Sequence, residues 1–187
     1  MQIQGLQKLT LLDYPGRTAC TVFLSGCNFR CPFCHNAPLL TAADEDGMDE
    51  DELLAFLKKR RGLLDGVAVT GGEPLLRPDL PQLLEKIKAL GYAVKLDTNG
   101  AFPERLEAVV RAGLADDVAM DIKNSPERYA ETAGVPGLDL TPVFRSVSFL
   151  LRGMVNYEFR TTAVAELHDD ASFLKLGDWL AGAKRYY

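Results

Sequence analysis

The sequence predicts an α/β protein in which a parallel sheet forms a partial (β/α)6-type barrel with helices on its outside. Short β-branched and aromatic runs alternate with helical patterns at the spacing of right-handed βαβ units. Five or six such units can be counted, which is short of the eight that close a full barrel. Polar motifs follow the ends of several strands, where parallel α/β folds place their active sites.

Five segments rich in β-branched and aromatic residues and bounded by turn residues are predicted to be strands. They are residues 18–26, 66–72, 92–100, 116–123 and 156–164. The final KRYY has the character of a sixth strand that stops early. We therefore expect a single domain over residues 1–187 that ends within its sixth strand. We also expect the natural protein to be longer, or its last sheet edge to be frayed or covered by another chain.

Five segments with apolar residues on one helical face are predicted to be helices. They are residues 49–60, 79–91, 103–113, roughly 142–152, and 171–183. Residue types at the helix starts support these bounds: Asp49 and Thr141 are predicted N-caps, and Pro103 lies in a first turn. Capping is also the expected role of Asp169.

Two segments fit neither pattern. Residues 124–140 are expected to be irregular, and the acidic residues 43–52 are expected to form a solvated loop that runs into the first helix.

The composition is that of an ordinary globular protein. Of the 187 residues, 47% are apolar and 25% are charged, and 26 acidic against 21 basic residues give a net charge of −5. This balance implies no general affinity for nucleic acid. The N-terminus lacks the basic start and apolar run of a signal peptide, and no apolar stretch approaches the ~18 residues that span a bilayer. We expect a cytoplasmic protein with no membrane association, in which thiols stay reduced.

Three of the four cysteines lie within the ten-residue segment CNFRCPFCHN. Clustered cysteines in a reducing compartment indicate metal or redox chemistry. Cys27, Cys31 and Cys34 leave one corner of a four-ligand site open. A Cys3His zinc site that includes His35 is the alternative, although the adjacent Cys34 and His35 would strain tetrahedral chelation. Cys20 lies within a predicted strand and is expected in the core.

Three predicted strands carry charges on one face instead of the continuous apolar pattern of a fully covered parallel sheet. The charged residues are Lys95, Asp97, Asp121, Lys123, Glu158 and Arg160. Buried charges are costly unless they are paired or bind a polar ligand. The face is therefore either solvated or internally ion-paired, or it lines a cavity that holds a charged, zwitterionic ligand.

Further polar motifs lie at the ends of two predicted strands, GGEP at 71–74 and DTNG at 97–100. Because the carboxyl ends of parallel strands meet at one edge, we expect one mouth to gather these motifs and the cysteines. We attribute Gly71 and Gly72 to the close approach of a ligand to the backbone, with a tight turn as the alternative. Asn99 suits a turn or capping role as well as a ligand contact.

The spacing Cys27-x3-Cys31-x2-Cys34 with GGEP downstream resembles the radical S-adenosylmethionine (radical SAM) enzymes. More narrowly, GLQKLTLLDYPG, GCNFRCPFCHN, TGGEPLL, DTNG and MDIK resemble the activating proteins of anaerobic ribonucleoside-triphosphate reductase, which belong with the activases of glycyl radical enzymes. The match runs from about residue 5 to residue 163. The resemblance implies a partial TIM barrel of the radical SAM type.

The resemblance also implies cofactors and partners. Three cysteines would hold a [4Fe-4S] cluster, and the amino and carboxylate groups of SAM would chelate its fourth iron. Reductive cleavage of SAM would give methionine and a 5′-deoxyadenosyl radical, which takes a hydrogen from a glycine of the partner glycyl radical enzyme under anaerobic conditions. The electron would come from an external low-potential donor such as flavodoxin or ferredoxin.

Individual roles follow from the resemblance as well. Phe33 resembles the aromatic position whose backbone contacts the adenine. Its alternative role is a hydrophobic cover for the cluster. The backbone of GGEP would accept hydrogen bonds from the methionine ammonium, while Glu73 adds charge and Pro74 fixes the chain direction. His35 is expected among the SAM contacts.

The acidic motif residues are assigned to the other end of the ligand. Asp97, Thr98 and Asp121, with Asn99 beside them, resemble positions near the SAM carboxylate, where some members bind a monovalent cation. Lys123 is the natural counter-charge. Arg160 is the candidate for hydrogen bonds to the carbonyls of an entering peptide, with an ion pair across the sheet as its alternative. Lys123 and Arg160 are counted with the three cysteines as catalytic residues.

Two other functions remain open. A radical SAM enzyme acting on a small molecule or peptide, such as a deazapurine synthase or a peptide maturase, would share every motif. Such enzymes usually need extra elements to enclose a substrate, and this chain offers little beyond SAM binding. A zinc-binding or scaffold protein without enzymatic activity is the third possibility.

Overall fold

The main sheet of this computed structural model, which describes residues 1–41 and 47–187, has six strands. The strands are β2 (Gly5–Thr10), β3 (Ala19–Leu24), β5 (Gly66–Gly71), β6 (Ala93–Thr98), β7 (Asp117–Asp121) and β8 (Asn156–Arg160). They lie side by side in the order β2-β3-β5-β6-β7-β8. From β3 to β8 each strand pairs in parallel with the next, which confirms the five predicted strands and the partial-barrel architecture. The prediction for residues 43–52 falls partly outside the described residues.

Both edges of the sheet differ from a simple repeat of strand–helix units. At one edge β2 pairs antiparallel with β3. At the other, the last residues of the chain lie parallel to β8, where the Tyr187 amide donates to the Phe159 carbonyl at 3.0 Å. The strand character predicted for KRYY is therefore present as a short pairing.

Six helices accompany the sheet in the described part of the chain. They are α1 (Glu50–Lys59), α2 (Leu80–Ala89), α3 (Pro103–Arg111), α4 (Tyr129–Thr132), α5 (Thr141–Leu151) and α6 (Asp170–Trp179). Asp49 and Asp169 each cap a helix with a capping box, as predicted. The prediction for Thr141 is wrong, because Leu140 holds the N-cap position and the Thr141 amide donates to Asp139 instead.

Several short elements were not predicted. A two-stranded antiparallel sheet joins β1 (Gln2–Ile3) to β4 (Met48–Asp49), and 3-10 helices cover Ala37–Leu40 and Pro74–Leu76. These elements are too short for a periodic pattern to be recognised in the sequence. No helix among the described residues is long and apolar enough to cross a membrane.

The amino-terminal edge of the parallel strands is closed by the loop after β2. Tyr14 is buried there, and its hydroxyl donates to the Asp117 carboxylate at the start of β7 at 2.6 Å. Its ring packs so closely on β5 that a Cβ at Gly66 would lie 2.8 Å from it. The opposite edge, where the strands end, is left for the site.

Candidate active site

A cavity of about 780 Å³ lies at the carboxyl ends of the parallel strands. Twelve of the predicted site residues line this cavity. They are Cys27, Cys31, Phe33, Cys34, His35, Gly71, Gly72, Asp97, Thr98, Asn99, Asp121 and Lys123. Glu73, Pro74 and Arg160 do not line it.

The cysteine-bearing loop is held at two points. Its two ends are joined to each other, because the Gly26 amide before the cysteines donates to the Leu39 carbonyl after them at 2.9 Å. At the second point, the Arg30 amide donates to the Ala133 carbonyl at 2.8 Å. Gly134 approaches so closely that a Cβ there would lie 2.1 Å from the Arg30 carbonyl oxygen. The segment 124–140, expected to be irregular, is thus a support for the loop.

Aromatic packing adds to this support. The buried Phe29, between two of the cysteines, packs edge-on against Tyr129 of α4, with ring centroids 6.4 Å apart. Tyr129 in turn packs edge-on against Trp179 of α6. Such pairs fix the geometry of the rings as well as burying apolar area. These contacts within the protein therefore hold the backbone of the loop in place.

The four cysteines have two different environments. Cys27, Cys31 and Cys34 are free thiols that are partly exposed to the cavity. Cys20 is fully buried in β3, as predicted for a core residue, and burial raises its pKa to about 12. Burial also raises the pKa of the Cys27 and Cys31 thiols in the absence of a metal. Lys123 opposes this effect at both thiols, and a bound metal such as iron would favour the thiolate further.

The cysteine arrangement suits a cluster better than a single ion. No group of three or more His, Cys, Asp or Glu side chains in the described part of the chain is arranged to hold one metal ion. Structural zinc requires four ligands about 2.0–2.3 Å from one point. An iron–sulfur cube takes one cysteine per iron and so spreads its ligands. Three thiols that line one cavity are the ligand set of a [4Fe-4S] cluster with one open iron.

The two glycines of GGEP are required by the protein itself. A Cβ at Gly71, where φ is +125°, would lie 2.2 Å from the Leu24 carbonyl oxygen, and one at Gly72 would lie 1.9 Å from that of Gly26. The end of β3 and the residue Gly26 after it therefore exclude side chains here, as a tight turn requires, and the close approach of a ligand to the two cavity-lining glycines stays a prediction. The Gly72 and Glu73 amides donate to these carbonyls at 2.9 and 2.8 Å.

Glu73 acts behind the cavity wall. Its fully buried carboxylate accepts hydrogen bonds from the Asn99 amide at 2.6 Å, and from the Leu75 amide and the Thr98 hydroxyl, both at 2.9 Å. Burial raises its pKa to about 7. Glu73 therefore joins the ends of β5 and β6, and Pro74 starts the 3-10 helix that follows.

Two asparagine amides tie the cysteine loop to the strand ends. The Asn36 side chain donates to the Gly71 carbonyl at 3.0 Å. The Asn99 side chain donates to Asn28 at 2.8 Å and towards the Cys27 sulfur at 3.8 Å, while its oxygen accepts from Ala101. Asn99 thus has the turn role predicted for it, and its contact with a ligand stays a prediction. The roles of Asn28 and Asn36 were missed, although their positions beside cysteines were a usable signal.

The six charges predicted on one sheet face form a single network. Its ion pairs are Lys95–Asp97 at 2.9 Å, Lys95–Glu158 at 3.5 Å, Lys123–Asp121 at 3.1 Å, and Arg160 to Asp97, Asp121 and Glu158 at 3.2, 3.0 and 4.0 Å. The network is internally paired, as one interpretation expected, and three of its members line the cavity. That the cavity holds a zwitterionic ligand stays a prediction. Arg160 forms ion pairs across the sheet, which was the alternative to its predicted contact with an entering peptide.

Asp121 and Lys123 keep their charges at neutral pH. Desolvation by the surrounding protein would raise the pKa of the partly exposed Asp121, but the neighbouring Lys123 and Arg160 outweigh this effect, and the pKa is lowered. Burial alone would lower the pKa of Lys123, yet Asp121 beside it raises that pKa further above neutrality. The cavity therefore presents a fixed carboxylate and a fixed ammonium, which suits a zwitterionic ligand.

Comparisons with known proteins agree with this site. The profile of the Radical SAM superfamily matches residues 21–168. The chain is 31% identical over 175 residues to a protein of Methanocaldococcus jannaschii whose name assigns it provisionally as a glycyl-radical enzyme activating enzyme. It is 33% identical over 129 residues to the pyruvate formate-lyase-activating enzyme of Clostridium pasteurianum. These matches cover 90% and 66% of this chain, and 70% and 52% of the two relatives.

The names of other similar proteins indicate small-molecule or peptide substrates. The chain is 30% identical over 152 residues to the 7-carboxy-7-deazaguanine synthase of Koribacter versatilis, covering 79% of this chain and 62% of that enzyme. The solved structure of Streptococcus suis SuiB bound to precursor peptide SuiA matches with a TM-score of 0.67 at 15% identity, over 85% of this chain and 35% of SuiB. That likeness confirms the fold.

The profile match spans most of the chain, and all three cysteines of its motif open into one cavity at the carboxyl ends of the strands. The family implies a [4Fe-4S] cluster and SAM in that cavity. The chain belongs to the Radical SAM superfamily and is a radical SAM enzyme.

Proposed function

We propose that this enzyme is a glycyl radical enzyme activase, with anaerobic ribonucleoside-triphosphate reductase as the partner to test first. The observation that carries the proposal is the open mouth of the cavity. His35 is exposed and the Asp121 side chain is 37% exposed, although both line the site. A second macromolecule can supply the missing wall, and the relatives named as activating enzymes support a protein partner.

Different residues of the chain would bind the cluster and SAM. Cys27, Cys31 and Cys34 would hold the cluster, and Asp121 with Lys123 would bind the charged groups of SAM. When bound, the cluster and SAM together supply one-electron cleavage of SAM and a 5′-deoxyadenosyl radical. The protein's part is to hold SAM in one orientation and to exclude water from the reacting atoms.

Glycine is a fitting target for such a mouth. It has no side chain to obstruct approach, and its flexible backbone can enter an open cavity as a loop. The flanking amide groups stabilise a radical on its Cα, so the radical can persist and serve the partner's own reaction. The cluster would also need an external low-potential electron donor such as flavodoxin or ferredoxin.

The test is an anaerobic mixture of this protein, reductant, SAM and a glycyl radical enzyme from the same organism. We expect electron paramagnetic resonance (EPR) to show a glycyl radical doublet and chromatography to show 5′-deoxyadenosine. Replacing the partner's glycine with alanine removes the doublet, and a Cys34→Ala protein gives neither product. The proposal fails if no glycyl radical enzyme of that organism acquires a radical.

A small-molecule or peptide reaction is the second candidate, favoured by the similarity to a 7-carboxy-7-deazaguanine synthase. It predicts that SAM cleavage depends on a metabolite or peptide rather than on a glycyl radical enzyme. Turnover of such a substrate, with no radical on any partner, would replace the activase proposal.

A further inference from the structure

Arg160 is the hub of the charge network behind the cavity. Its guanidinium lies within 4.0 Å of three carboxylates, those of Asp97, Asp121 and Glu158. Asp97 and Asp121 line the cavity, whereas Arg160 does not. Arg160 therefore contacts two cavity-lining aspartates without lining the cavity itself.

Every oxygen of these two aspartates has a cationic nitrogen close to it. On Asp97, Oδ1 lies 2.9 Å from Lys95 Nζ and Oδ2 lies 3.2 Å from Arg160 Nη2. On Asp121, Oδ1 lies 3.0 Å from Arg160 Nη2 and 3.1 Å from Arg160 Nε, and Oδ2 lies 3.1 Å from Lys123 Nζ. One guanidinium nitrogen thus contacts both carboxylates.

Two carboxylates beside one cavity repel each other unless a positive charge lies between them. A bound monovalent cation would need several oxygen ligands from this pair and its surroundings. Arg160 already occupies the position between the carboxylates, and the network of three acids and three bases sums to zero charge. The guanidinium is always protonated and holds its planar fork in a fixed orientation.

We propose that Arg160 is a built-in cation that fixes Asp97 and Asp121 for SAM binding, so that this enzyme needs no alkali metal ion. Arg160 is a positioning residue in this role, because it acts on SAM through the two aspartates. The inference rests on SAM binding in the cavity and is independent of the partner protein.

The experiment measures the SAM dissociation constant of the protein with its cluster reconstituted. Equilibrium dialysis is run anaerobically at constant ionic strength in potassium, sodium, lithium or choline chloride, with no partner present. We expect one dissociation constant in all four salts. The EPR spectrum of the reduced cluster, which changes when SAM binds, should respond to SAM equally in each salt.

The variant Arg160→Gln removes the charge and keeps a similar length. In choline its SAM affinity should fall by about tenfold or more, the cost of a lost charge-assisted contact, and potassium or sodium should restore most of it. Arg160→Lys, which keeps a positive charge, should stay less dependent on the salt than Arg160→Gln. Arg152→Gln is the matched control, because Arg152 is an exposed arginine beyond α5, and it should behave as the unaltered protein.

Two results would overturn the proposal. One is a dissociation constant of the unaltered protein that changes severalfold between choline and an alkali salt. The other is an Arg160→Gln protein whose affinity is either unchanged or reduced equally in every salt. Iron content and the thermal unfolding temperature report whether the variant folds. If the variant does not fold, the salt series on the unaltered protein still tests whether SAM binding needs an alkali metal ion. Because no partner is used, the outcome does not depend on whether the activase function is correct.

Discussion

At the scale of single residues, the four cysteines divide by what surrounds them. Replacing Cys27, Cys31 or Cys34 with alanine should remove the iron–sulfur cluster, because each is a partly exposed thiol of the one cavity. Iron and sulfide analysis and the visible spectrum after anaerobic reconstitution measure this loss.

Cys20→Ala is the matched control. The Cys20 thiol is fully buried in β3, so its replacement should cost stability through a small cavity and leave the iron content unchanged. A full complement of iron in any of the three loop variants would contradict the assignment of cluster ligands.

The Asn99 amide is expected to tune the cluster. Hydrogen bonds to cluster sulfurs help to set the reduction potential, and they raise it by stabilising the more negative, reduced form. Because the Asn99 side chain points to the Cys27 sulfur at 3.8 Å, Asn99→Ala should lower the midpoint potential. An EPR-monitored redox titration measures the shift.

Asn36→Ala provides the comparison. Asn36 binds the Gly71 carbonyl and no cysteine sulfur, so this variant should keep the potential of the unaltered protein. Equal potentials in the Asn99→Ala and unaltered proteins would show that the amide does not act on the cluster.

Much of the candidate site could be predicted residue by residue. Chain order and the rule that parallel strands end at one edge were sufficient to bring Cys27, Gly71 and Asp97 together. The position of Glu73 behind the wall was not predictable, because its three hydrogen-bond donors come from two separate segments. Likewise the alternation of charges predicted a polar face, whereas the bridging position of Arg160 depends on strand register.

At the scale of elements, the turn after β5 is under a strict steric limit. Gly72→Ala would place a Cβ 1.9 Å from the Gly26 carbonyl oxygen, and both atoms belong to backbone or are fixed to it. Either the turn or the cysteine loop must move. We expect a loss of about 1–3 kcal/mol in the free energy of unfolding, measured by urea denaturation, together with weaker SAM binding.

Gly177→Ala is a control of opposite sign. Gly177 lies within α6, where an added Cβ would meet no atom of a neighbouring element within 4 Å, and a helical glycine costs roughly 0.5–1 kcal/mol relative to alanine. This variant should therefore be more stable. A Gly72→Ala protein as stable as the unaltered one would show that the turn adapts easily.

The long elements were predictable and the short ones were not. The strands β3 and β5 to β8 are runs with a clear compositional signal, and the helices α1 to α3 have full amphipathic turns. β2 was missed because GLQKLT has no β-branched residue before its last position and pairs on one edge only. α4 is four residues long and depends on packing of Tyr129 against the cysteine loop.

At the scale of the whole molecule, Tyr14 joins the start of the chain to β7. Tyr14→Phe removes its hydrogen bond to Asp117, 103 residues away, and should lower the free energy of unfolding by about 1–2 kcal/mol. SAM affinity should not change, because Tyr14 lies at the edge of the sheet opposite to the cavity. Urea denaturation and equilibrium dialysis measure the two quantities.

Tyr187→Phe serves as the control for the loss of a hydroxyl, since Tyr187 is largely exposed. Reduced SAM affinity in Tyr14→Phe would show that the two edges of the sheet are coupled.

The support of the cysteine loop by Gly134 and Tyr129 also fixes an order of events during synthesis. Arg30 leaves the ribosome about a hundred residues before its partners Ala133 and Gly134. At ~5–20 residues per second, the loop waits on the order of five to twenty seconds for its support. The cysteine loop therefore lacks this support while about a hundred further residues are made. We expect iron and sulfide to be delivered to this enzyme only after Gly134 has left the ribosome.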